Sequence, residues 1–462
     1  MMRVMVQKFG GTSVATDESR ALAADRVAQA VEAGWSVVVV VSAIGRKGAP
    51  YATDTLLGLL NGVDPQVSPA PRESDLLLAC GEVISTVIFA QTLRARGYET
   101  IALTGGQAGI ITDYEYTNAR ILKIQPNYLL QQLGTGRIVF VAGFQGATER
   151  GAITTLGRGG SDTTASALGA AVKPHVEHVE VEIYTDVDGV KTADPRIVKD
   201  ARTLAVASYA EVSEMAHQGA KVVHPRAAEI AEIHDVPLWV KSTFGEAPGT
   251  LIRRANSSED SSPRITGVTS TGKLVYLRFP LPDVSDTDRA KIEREVYRLL
   301  RNEEISIHLS STGNGAFAFA VVREHLGRVA ELIDGLVIPG ELGPRTHPPY
   351  GVITLLGIGS KGRGMNAQRT LLAGASSLVD IRVVEADLVE NCTMVSVIAT
   401  GIDDIPGIFV KMLGVLDEQG VWLYQTADSE FSMSVLIREA DSVRAVRTLH
   451  EAFHLGNAGT CG

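Results

Sequence analysis

The feature that most constrains this chain is a glycine-rich turn, Gly157 to Gly160, that leads straight into a helix of small residues. Ser161 and Asp162 follow the turn and are suited to cap a helix start, and the alanine-rich stretch 165–171 continues the helix. Free backbone N–H groups at such a start bind anions, and glycine lets a ligand approach the backbone closely. A capped turn without a ligand has the same pattern, so the rest of the chain must decide between these interpretations.

Two charged residues in this stretch favour the ligand-binding interpretation. Arg158 carries a planar guanidinium that fits a carboxylate or a phosphate. Asp162 adds a fixed negative charge that can orient a lysine, a substrate ammonium or a metal. The turn is therefore a candidate binding site.

A second glycine pair lies at the end of the first predicted strand. Val4 to Phe9 has the apolar pattern of a buried strand that runs into Gly10 and Gly11, with Lys8 near its end. Ligands of open α/β sheets bind at the C-terminal ends of the strands. Further strands are predicted at 36–42, 100–103, 137–142 and 178–185, and they alternate with helices such as 18–33 and 73–94. This order predicts an α/β fold with a doubly wound, mostly parallel sheet.

Chain length indicates the number of domains, and net charge limits the kinds of binding partner. At 462 residues the chain is too long for one core, and about three domain-sized units are expected. A hydrophobic content of 45% with 21% charged residues is typical of a globular protein. The net charge of −10 argues against nucleic acid or an anionic membrane as the main partner.

Cysteine usage and the N-terminus indicate the compartment. Cys80, Cys392 and Cys461 are scattered, which favours a reducing cytoplasm and gives no disulfide framework or structural zinc site. The first residues enter a strand without the charged and apolar regions of a signal peptide. The longest apolar run, Val37 to Val41, is too short to span a bilayer. We therefore expect a cytoplasmic protein.

The second half of the chain has a different order of predicted strands and helices. A polar linker at 256–263 separates it from the first half. Beyond the linker, a strand–helix–strand–strand–helix pattern occurs at 275–336 and again at 394–453, and the segment 339–378 fits neither copy. We predict a larger N-terminal domain at 1–252, a first module at 264–338, the extra segment at 339–378 and a second module at 379–457.

Taken together, the motifs of the first half identify a family resemblance. The motifs are Lys8 to Val14, Cys80 to Glu82, Gly157 to Thr163, Tyr184 to Val190, Ala193 to Arg196 and Gly219 to Val222. Their residue types and order resemble the aspartate kinases of the amino-acid kinase superfamily, over residues 4 to about 252. The C-terminal repeat resembles the paired ACT modules with which these kinases sense end-product amino acids. The stretches Pro50 to Thr55 and Gln425 to Ser429 most resemble the diaminopimelate-sensitive isozymes of Gram-positive bacteria.

The resemblance implies a reaction and a set of catalytic residues. ATP and L-aspartate would give 4-phospho-L-aspartate and ADP, the first step towards lysine, diaminopimelate, threonine and methionine. Lys8 would bridge the transferring phosphate and the attacking carboxylate, and Asp162 would hold Lys8 or the substrate ammonium. Arg158 would bind the substrate α-carboxylate, and Glu82 would pair with its ammonium.

The remaining site residues are also implied by the resemblance. Those that would contact aspartate are Ser42, Thr53, Glu82, Arg158, Gly159, Gly160 and Ser161. Those that would line the ATP side are Lys8, Gly10, Gly11, Tyr184, Thr185, Asp186, Lys191, Asp194, Arg196 and Lys221. Mg²⁺ would bridge the phosphates, and no metal ligand from the protein is identified.

Regulation and assembly follow from the ACT resemblance. The effector would be diaminopimelate, lysine or threonine, and a homodimer or higher homo-oligomer is expected. The residues placed at the effector site are Ile405, Pro406, Gly407, Gln425 and Asp428.

Two other functions compete with this one. A different amino-acid kinase would phosphorylate glutamate, N-acetylglutamate or a nucleoside monophosphate, but the ACT-like tail and the run from Lys8 to Val14 count against it. A non-catalytic amino-acid sensor would be a decayed kinase, and the intact charged residues Lys8, Glu82, Arg158 and Asp162 count against that.

Overall fold

The computed structural model describes residues 2–220, 222–255, 264–281, 284–313, 315–334, 336–341, 350–356, 380–402 and 405–456. The predicted ATP contact Lys221, the linker 256–263 and most of the extra segment 339–378 lie outside the described residues.

The first half of the chain alternates strands and helices. Its strands are β1 Arg3–Phe9, β2 Ser36–Val41, β3 Thr100–Leu103, β4 Ile110–Thr112, β5 Ile121–Ile124, β6 Ile138–Ala142, β7 Gln145–Thr148, β8 Ile153–Thr155, β9 His178–Thr185, β10 Val206–Ser208, β11 Leu238–Ser242 and β12 Thr250–Arg253. Its helices are α1 Asp17–Glu32, α2 Thr53–Asn61, α3 Pro71–Ala95, α4 Asn127–Gly134, α5 Gly160–Val172, α6 Tyr209–His217 and α7 Pro225–Ile233.

Eight of these strands form the central sheet, in the order β10-β12-β11-β9-β1-β2-β6-β3. All neighbours are parallel except the antiparallel pair β11 and β12. The valines of β2 are buried on both faces, because one hydrophobic core lies above the sheet and another below it. The predicted doubly wound, mostly parallel sheet is confirmed.

A smaller sheet of four strands, in the order β5-β4-β7-β8, leads into the glycine-rich turn. Strand β8 ends at Thr155, and the turn follows within two residues. Asp75 on α3 accepts hydrogen bonds from the backbone N–H and the hydroxyl of Thr155, at 2.8 and 2.6 Å. This buried carboxylate therefore fixes the strand from which the turn departs.

Helix α3 has 25 residues and is, in the described part of the chain, long and apolar enough to cross a membrane by length and composition alone. Half of its most apolar stretch is buried inside the protein. Phe89 and Leu93 are fully buried there in the core beneath the central sheet. These features are typical of a core helix.

The second half of the chain is built around an antiparallel sheet. Its strands are β13 Arg264–Pro280, β14 Leu309–Gly313, β15 Ala316–Val322, β16 Val337–Glu341, β17 Tyr350–Leu356, β18 Asp380–Glu385, β19 Asp387–Thr400, β20 Leu423–Asp428 and β21 Ser432–Arg438. The helices described there are α8 Asp286–Asn302, α9 Leu326–Ile333, α10 Ile408–Glu418 and α11 Ser442–Ala452. Six of the strands form one sheet in the order β14-β15-β13-β19-β21-β20.

The two strand–helix repeats share the long strand β13. Its residues 264–278 pair with β19 of the second repeat along one edge, and its residues 274–280 pair with β15 of the first repeat along the other edge. Each repeat has its own core, one against α8 and α9 and one against α10 and α11. The two βαββα units are present, and their boundaries at 338 and 379 stay a prediction.

Part of the extra segment contributes a separate small sheet. Strand β17 pairs with β16 antiparallel and with β18 parallel. The strand predicted at 352–356 lies within β17. The helix predicted at 366–373 lies outside the described residues.

Candidate active site

One cleft of about 490 Å³ collects the predicted catalytic and substrate-binding residues. It opens at the C-terminal ends of β1 and β2, where the parallel sheet meets the start of α5. The predicted residues that line it are Lys8, Gly11, Ser42, Thr53, Glu82, Arg158, Gly159, Gly160, Ser161 and Asp162. A larger cavity of about 690 Å³ lies between residues 197–200 and α11, but it contains none of the predicted site residues.

An ion pair between Lys8 and Asp162 forms the centre of the cleft. The ammonium nitrogen lies 2.7 Å from the carboxylate oxygen, and both side chains are 13% exposed. Lys8 comes from the end of β1, and Asp162 comes from the first turn of α5. Both side chains line the cleft, so a ligand bound there would meet the pair.

The glycine-rich turn has the backbone conformation that its sequence requires. Gly157 and Gly159 have φ angles of 71° and 70°, in the left-handed region that favours glycine. Gly159 is the N-cap residue and α5 begins at Gly160, so the predicted cap at Ser161 and Asp162 was wrong by two to three residues. Asp162 lies instead in the first turn, where a negative charge is favoured by the helix dipole.

The guanidinium of Arg158 is available for an anion. The side chain is exposed at the mouth of the cleft, and no hydrogen bond or ion pair joins it to another residue within the described ranges. The same holds for Lys47, which lines the opposite wall. A free guanidinium beside backbone N–H groups of a helix start is a suitable site for a carboxylate.

Glu82 is a buried carboxyl group that faces the cleft. It lies on α3 and is 3% exposed. One oxygen accepts a hydrogen bond from the Ala43 backbone N–H at 3.1 Å, and the other is buried without a partner in the described structure. Burial raises the pKa of Glu82 to about 8. A cationic group bound beside it would restore the charged form.

The turn after β1 brings two glycines against the next strand. A short 3₁₀ helix, Gly11–Val14, begins there. A Cβ atom on Gly11 would lie 2.5 Å from the carbonyl oxygen of Ala43, so only glycine fits without a shift. The Gly10 N–H donates to the carbonyl of Tyr184 at 3.4 Å, so its predicted donation to a phosphate would require this long bond to open.

One predicted ATP contact needs correction. The ring of Tyr184 is buried and stacks on Phe9, with 4.8 Å between the ring centroids. Its hydroxyl donates to Glu182 at 3.1 Å. The side chain of Tyr184 therefore belongs to the core, because strand β9 turns this side chain away from the rim, and only its backbone lies near the turn after β1.

The predicted ATP contacts that the structure describes at the end of β9 and beyond it each have a protein partner. Asp186 pairs with Arg46 of the cleft wall at 2.8 Å, and the Thr185 hydroxyl donates to Asp186 at 3.2 Å. Asp194 and Arg196 form an exposed ion pair at 2.6 Å. The Lys191 ammonium donates to the Thr203 hydroxyl at 3.0 Å and pairs with Asp188 at 3.4 Å. None of these predicted contacts lines the cleft itself.

Sequence reasoning missed several residues at the cleft. Arg46 and Lys47 lie in the polar loop after β2, and Phe144 closes the back of the turn against Gly160. His224 and Arg226 contact the turn from behind. The sequence signal for His224 and Arg226 was their position directly after the motif Gly219 to Val222, which we had taken to end at Val222.

The predicted effector residues lie in the second regulatory repeat. Ile405, Pro406 and Gly407 form the turn before α10, and Gly407 caps that helix with a φ of 78°. Gln425 and Asp428 lie on the edge strand β20. Both amide atoms of Gln425 are buried without a partner in the described structure, whereas Asp428 is exposed.

Comparisons with known proteins agree with this geometry. The amino acid kinase family matches residues 3–242, and the ACT domain matches residues 387–451. Aspartokinase 1 of Bacillus subtilis is 40% identical over 459 residues, which cover 98% of this chain and 100% of that protein. The aspartokinase of Geobacillus stearothermophilus is 36% identical over 467 residues, covering 98% of both.

Solved structures show the same fold. E. coli aspartokinase III in complex with aspartate and ADP (R-state) has a TM-score of 0.70 at 23% identity, covering 97% of this chain and 99% of that one. Aspartate kinase from Synechocystis has a TM-score of 0.60 at 25% identity, covering 99% of both. Because the relatives match this chain over almost its whole length, it belongs to the amino acid kinase family and, within that family, to the aspartokinases.

Proposed function

We propose that the Lys8–Asp162 cleft is where this aspartokinase transfers the γ-phosphoryl group of ATP to the β-carboxylate of L-aspartate. The observation that carries the proposal is the content of this one cleft. It holds the central ion pair, the buried carboxyl of Glu82 and the guanidinium of Arg158, which has no partner among the residues that the structure describes. These are the charges that an amino-acid zwitterion and a transferring phosphate require.

The substrate is oriented by its two charged ends. Arg158 and the backbone N–H groups at the start of α5 bind the α-carboxylate. Glu82 binds the ammonium, which offsets the desolvation of its unpaired oxygen. The β-carboxylate then faces Lys8, and the hydroxyls of Ser42 and Thr53 lie on the same wall.

Phosphoryl transfer needs positioning and charge neutralisation more than covalent help. A β-carboxylate oxygen attacks the γ-phosphorus, the bond to the β,γ-bridging oxygen breaks, and ADP leaves with that electron pair. The nucleophile is already ionised near neutral pH, so no general base is needed. Lys8 neutralises charge that develops between the two anions, and Asp162 keeps Lys8 in place.

The nucleotide lies on the side of the cleft that follows β9. Thr185, Asp186, Lys191, Asp194 and Arg196 supply polar groups there, and each would exchange a present partner for a ligand atom. The predicted contact Lys221 lies outside the described residues. The solved E. coli aspartokinase III that contains aspartate and ADP supports this substrate pair.

ATP would bring Mg²⁺, which would offset the charge of the phosphates. In kinase sites this ion takes one or two carboxylates together with phosphate oxygens and water. Asp162 in the cleft and Asp186 beside its wall are the carboxylates at hand. Within the described ranges no group of three or more His, Cys, Asp or Glu side chains is placed to hold a metal ion without phosphates.

The proposal also covers feedback regulation, the cellular compartment and the oligomeric state. A feedback amino acid, diaminopimelate, lysine or threonine, binds at the turn 405–407 and strand β20, where Gln425 has unpaired amide atoms. The lysine and aspartate complex of E. coli aspartokinase III (T-state) supports an amino-acid effector. We place the enzyme in the cytoplasm as a homodimer or larger homo-oligomer.

The decisive experiment replaces the central cation. Lys8→Ala should lower kcat by about a thousandfold while thermal unfolding stays unchanged, because a charge contact made in the transition state is lost. Lys123→Ala is the matched control, since Lys123 forms an exposed ion pair far from the cleft. A loss below about tenfold in folded Lys8→Ala protein would contradict the assigned role. Absence of aspartate-dependent ATP turnover in the unmodified protein would favour a sensor instead.

A further inference from the structure

The start of helix α7 lies directly behind the glycine-rich turn. His224 is the N-cap residue of α7, and its ring contacts Gly159. A Cβ atom built on Gly159 would lie 2.0 Å from Cγ of His224 and 2.3 Å from its Cδ2. The imidazole therefore occupies the space that a side chain at position 159 would need, and it contacts the left-handed turn from behind.

Arg226, two residues later, holds the other end of the turn. Its guanidinium donates to the backbone carbonyl of Leu156 at 3.0 Å. The same guanidinium donates to the side-chain oxygen of Asn118 at 3.5 Å. That oxygen in turn lies 2.7 Å from where a Cβ of Gly157 would be. The turn 157–160 is thus enclosed by His224 at one end and by Arg226 and Asn118 at the other.

His224 is half-buried among charges of both signs. Burial lowers the pKa of His224, and Asp162 acts in the opposite direction, as does Glu229, whereas Arg226 and His217 lower it further. The Nδ1 atom is buried and has no hydrogen-bond partner among the described residues. Asp162 is the ion-pair partner of the Lys8 ammonium, at 2.7 Å.

We infer that His224 is a positioning residue for phosphoryl transfer. Its ring sets the backbone of residues 157–160, and through that backbone it sets the places of Arg158 and Asp162. The contact is made by carbon atoms of the ring and its Cβ, so the shape of the side chain is what matters. The inference rests on the proposed function of Arg158 and Asp162.

The test is a double-mutant cycle on Gly159 and His224, measured as kcat/KM for aspartate. Gly159→Ala pushes a methyl group into the imidazole at a left-handed residue, and we expect a loss of about a hundredfold. His224→Ala leaves a gap behind the turn, and we expect a loss of about tenfold, mainly as a higher KM for aspartate. The Cβ that His224→Ala retains would still lie 2.4 Å from the methyl group added at position 159, so the double variant uses His224→Gly, for which we expect a similar single loss. With that space cleared, Gly159→Ala combined with His224→Gly should be about tenfold more active than Gly159→Ala alone. Additive losses would overturn the inference.

A second variant keeps the test independent of misfolding. His224→Asn retains the Cβ and Cγ atoms that contact Gly159, so we expect a smaller loss, about threefold. Equal losses for His224→Asn and His224→Ala, at unchanged thermal unfolding, would overturn the contact as the cause. KM for ATP should change by less than about twofold in both variants, and a parallel rise in KM for ATP would show general loosening instead.

The matched control is at the other end of the same helix. His234 follows the last residue of α7 and is exposed, and His234→Ala should have the kinetics of the unmodified enzyme. Lys8→Ala tests the proposed function without changing His224. The two ideas can therefore fail separately.

Discussion

Glu82 is a carboxyl group whose ionisation is opposed by burial until a cation binds beside it. Its pKa of about 8 in the empty cleft means that most of it is protonated at pH 7. An ammonium group prefers the carboxylate form, so binding of aspartate must release this proton. The affinity for aspartate is therefore coupled to pH.

This coupling gives a prediction for the pH dependence of KM. The apparent KM for aspartate should fall by up to about tenfold for each unit of pH as pH rises towards about 8. Above that pH the KM should level off. The sign follows because the proton that must leave is present only below the raised pKa. Steady-state kinetics between about pH 6 and about pH 9 measure this effect. A KM for aspartate that is constant over this range would contradict a buried, protonated Glu82.

A substitution at the same residue separates substrate binding from nucleotide binding. Glu82→Gln removes the negative charge and keeps the shape, so the KM for aspartate should rise by about tenfold or more. Its pH dependence should also disappear. KM for ATP serves as the internal control and should stay nearly unchanged. Equal rises in both constants would place Glu82 outside the aspartate pocket.

At this scale the sequence predicted four of the charged residues that line the cleft and missed Arg46 and Lys47. Lys8, Glu82, Arg158 and Asp162 were found because motif residues at strand ends and helix starts converge on one rim. Tyr184 was assigned to ATP through the resemblance of the motif Tyr184 to Val190, and that motif does not show that the ring of Tyr184 packs on Phe9. His224 was missed because its role depends on a contact with Gly159, 65 positions earlier in the numbering of the chain.

At the scale of elements, helix α6 joins the catalytic domain to the regulatory sheet. Glu211 on α6 is fully buried and forms an ion pair with Arg264 of β13 at 3.3 Å. It also accepts hydrogen bonds from the hydroxyls of Thr266 on β13 and Thr400 on β19, the latter at 2.7 Å. Burial opposes ionisation of Glu211, but these hydrogen bonds and Arg264 outweigh it, and its pKa is lowered.

We predict that Glu211→Ala weakens the attachment of the regulatory sheet. The variant leaves the buried hydroxyls and Arg264 without their acceptor, at a cost of about 3 kcal/mol in the free energy of unfolding. Thermal unfolding of the full chain measures this change. Glu232→Ala on α7 is the control, because Glu232 is exposed and its loss should leave the unfolding temperature within error.

The sign of the pH dependence provides a further check on Glu211. A lowered pKa in the folded state stabilises the protein above the usual value of 4.5, and this contribution is lost as pH falls through the folded pKa. The stability difference between Glu211→Ala and the unmodified protein should therefore be full at neutral pH and shrink in acid. A difference that grows on acidification would contradict the charged form of Glu211.

Local sequence patterns predicted which helices and strands exist better than they predicted where each one begins and ends. The strand–helix alternation was visible because apolar periodicity is a local signal. The start of α5 was misplaced because Ser161 and Asp162 are good capping residues, whereas the left-handed Gly159 takes the cap. That choice depends on the fit of the turn against His224, which no local pattern contains.

At the scale of the whole molecule, β13 connects the two regulatory repeats to each other. Strand β19 pairs along one edge of β13, at residues 264–278, and β15 pairs along the other edge, at residues 274–280, so the repeats share a strand within one sheet of six. The sequence predicted two repeats because each has its own strand and helix order. It did not predict the shared strand, because pairing between residues more than a hundred positions apart leaves no local signal.

A shared sheet gives an effector a route to the catalytic domain. Strand β19 pairs with β21, and β21 pairs with the edge strand β20 that holds Gln425 and Asp428. Glu214 on α6 also accepts a hydrogen bond from the hydroxyl of Ser432 on β21, at 2.5 Å. A ligand that shifts β20 would therefore act on strands that contact α6 directly.

The last prediction concerns this regulatory route. An effector changes activity only through unequal affinity for active and inactive states, so a weaker effector site should reduce inhibition without impairing catalysis. Asp428 is exposed on β20 and can bind a distal ammonium. Asp428→Ala should raise the inhibitory concentration of the true effector by about tenfold, with kcat changed by less than about twofold. Inhibition assays with lysine, threonine and diaminopimelate, singly and in pairs, measure this, and Glu430→Ala in the next turn is the matched control. Unchanged inhibition in Asp428→Ala with normal thermal unfolding would place the effector elsewhere, because an exposed carboxylate that only ends a strand has no part in binding.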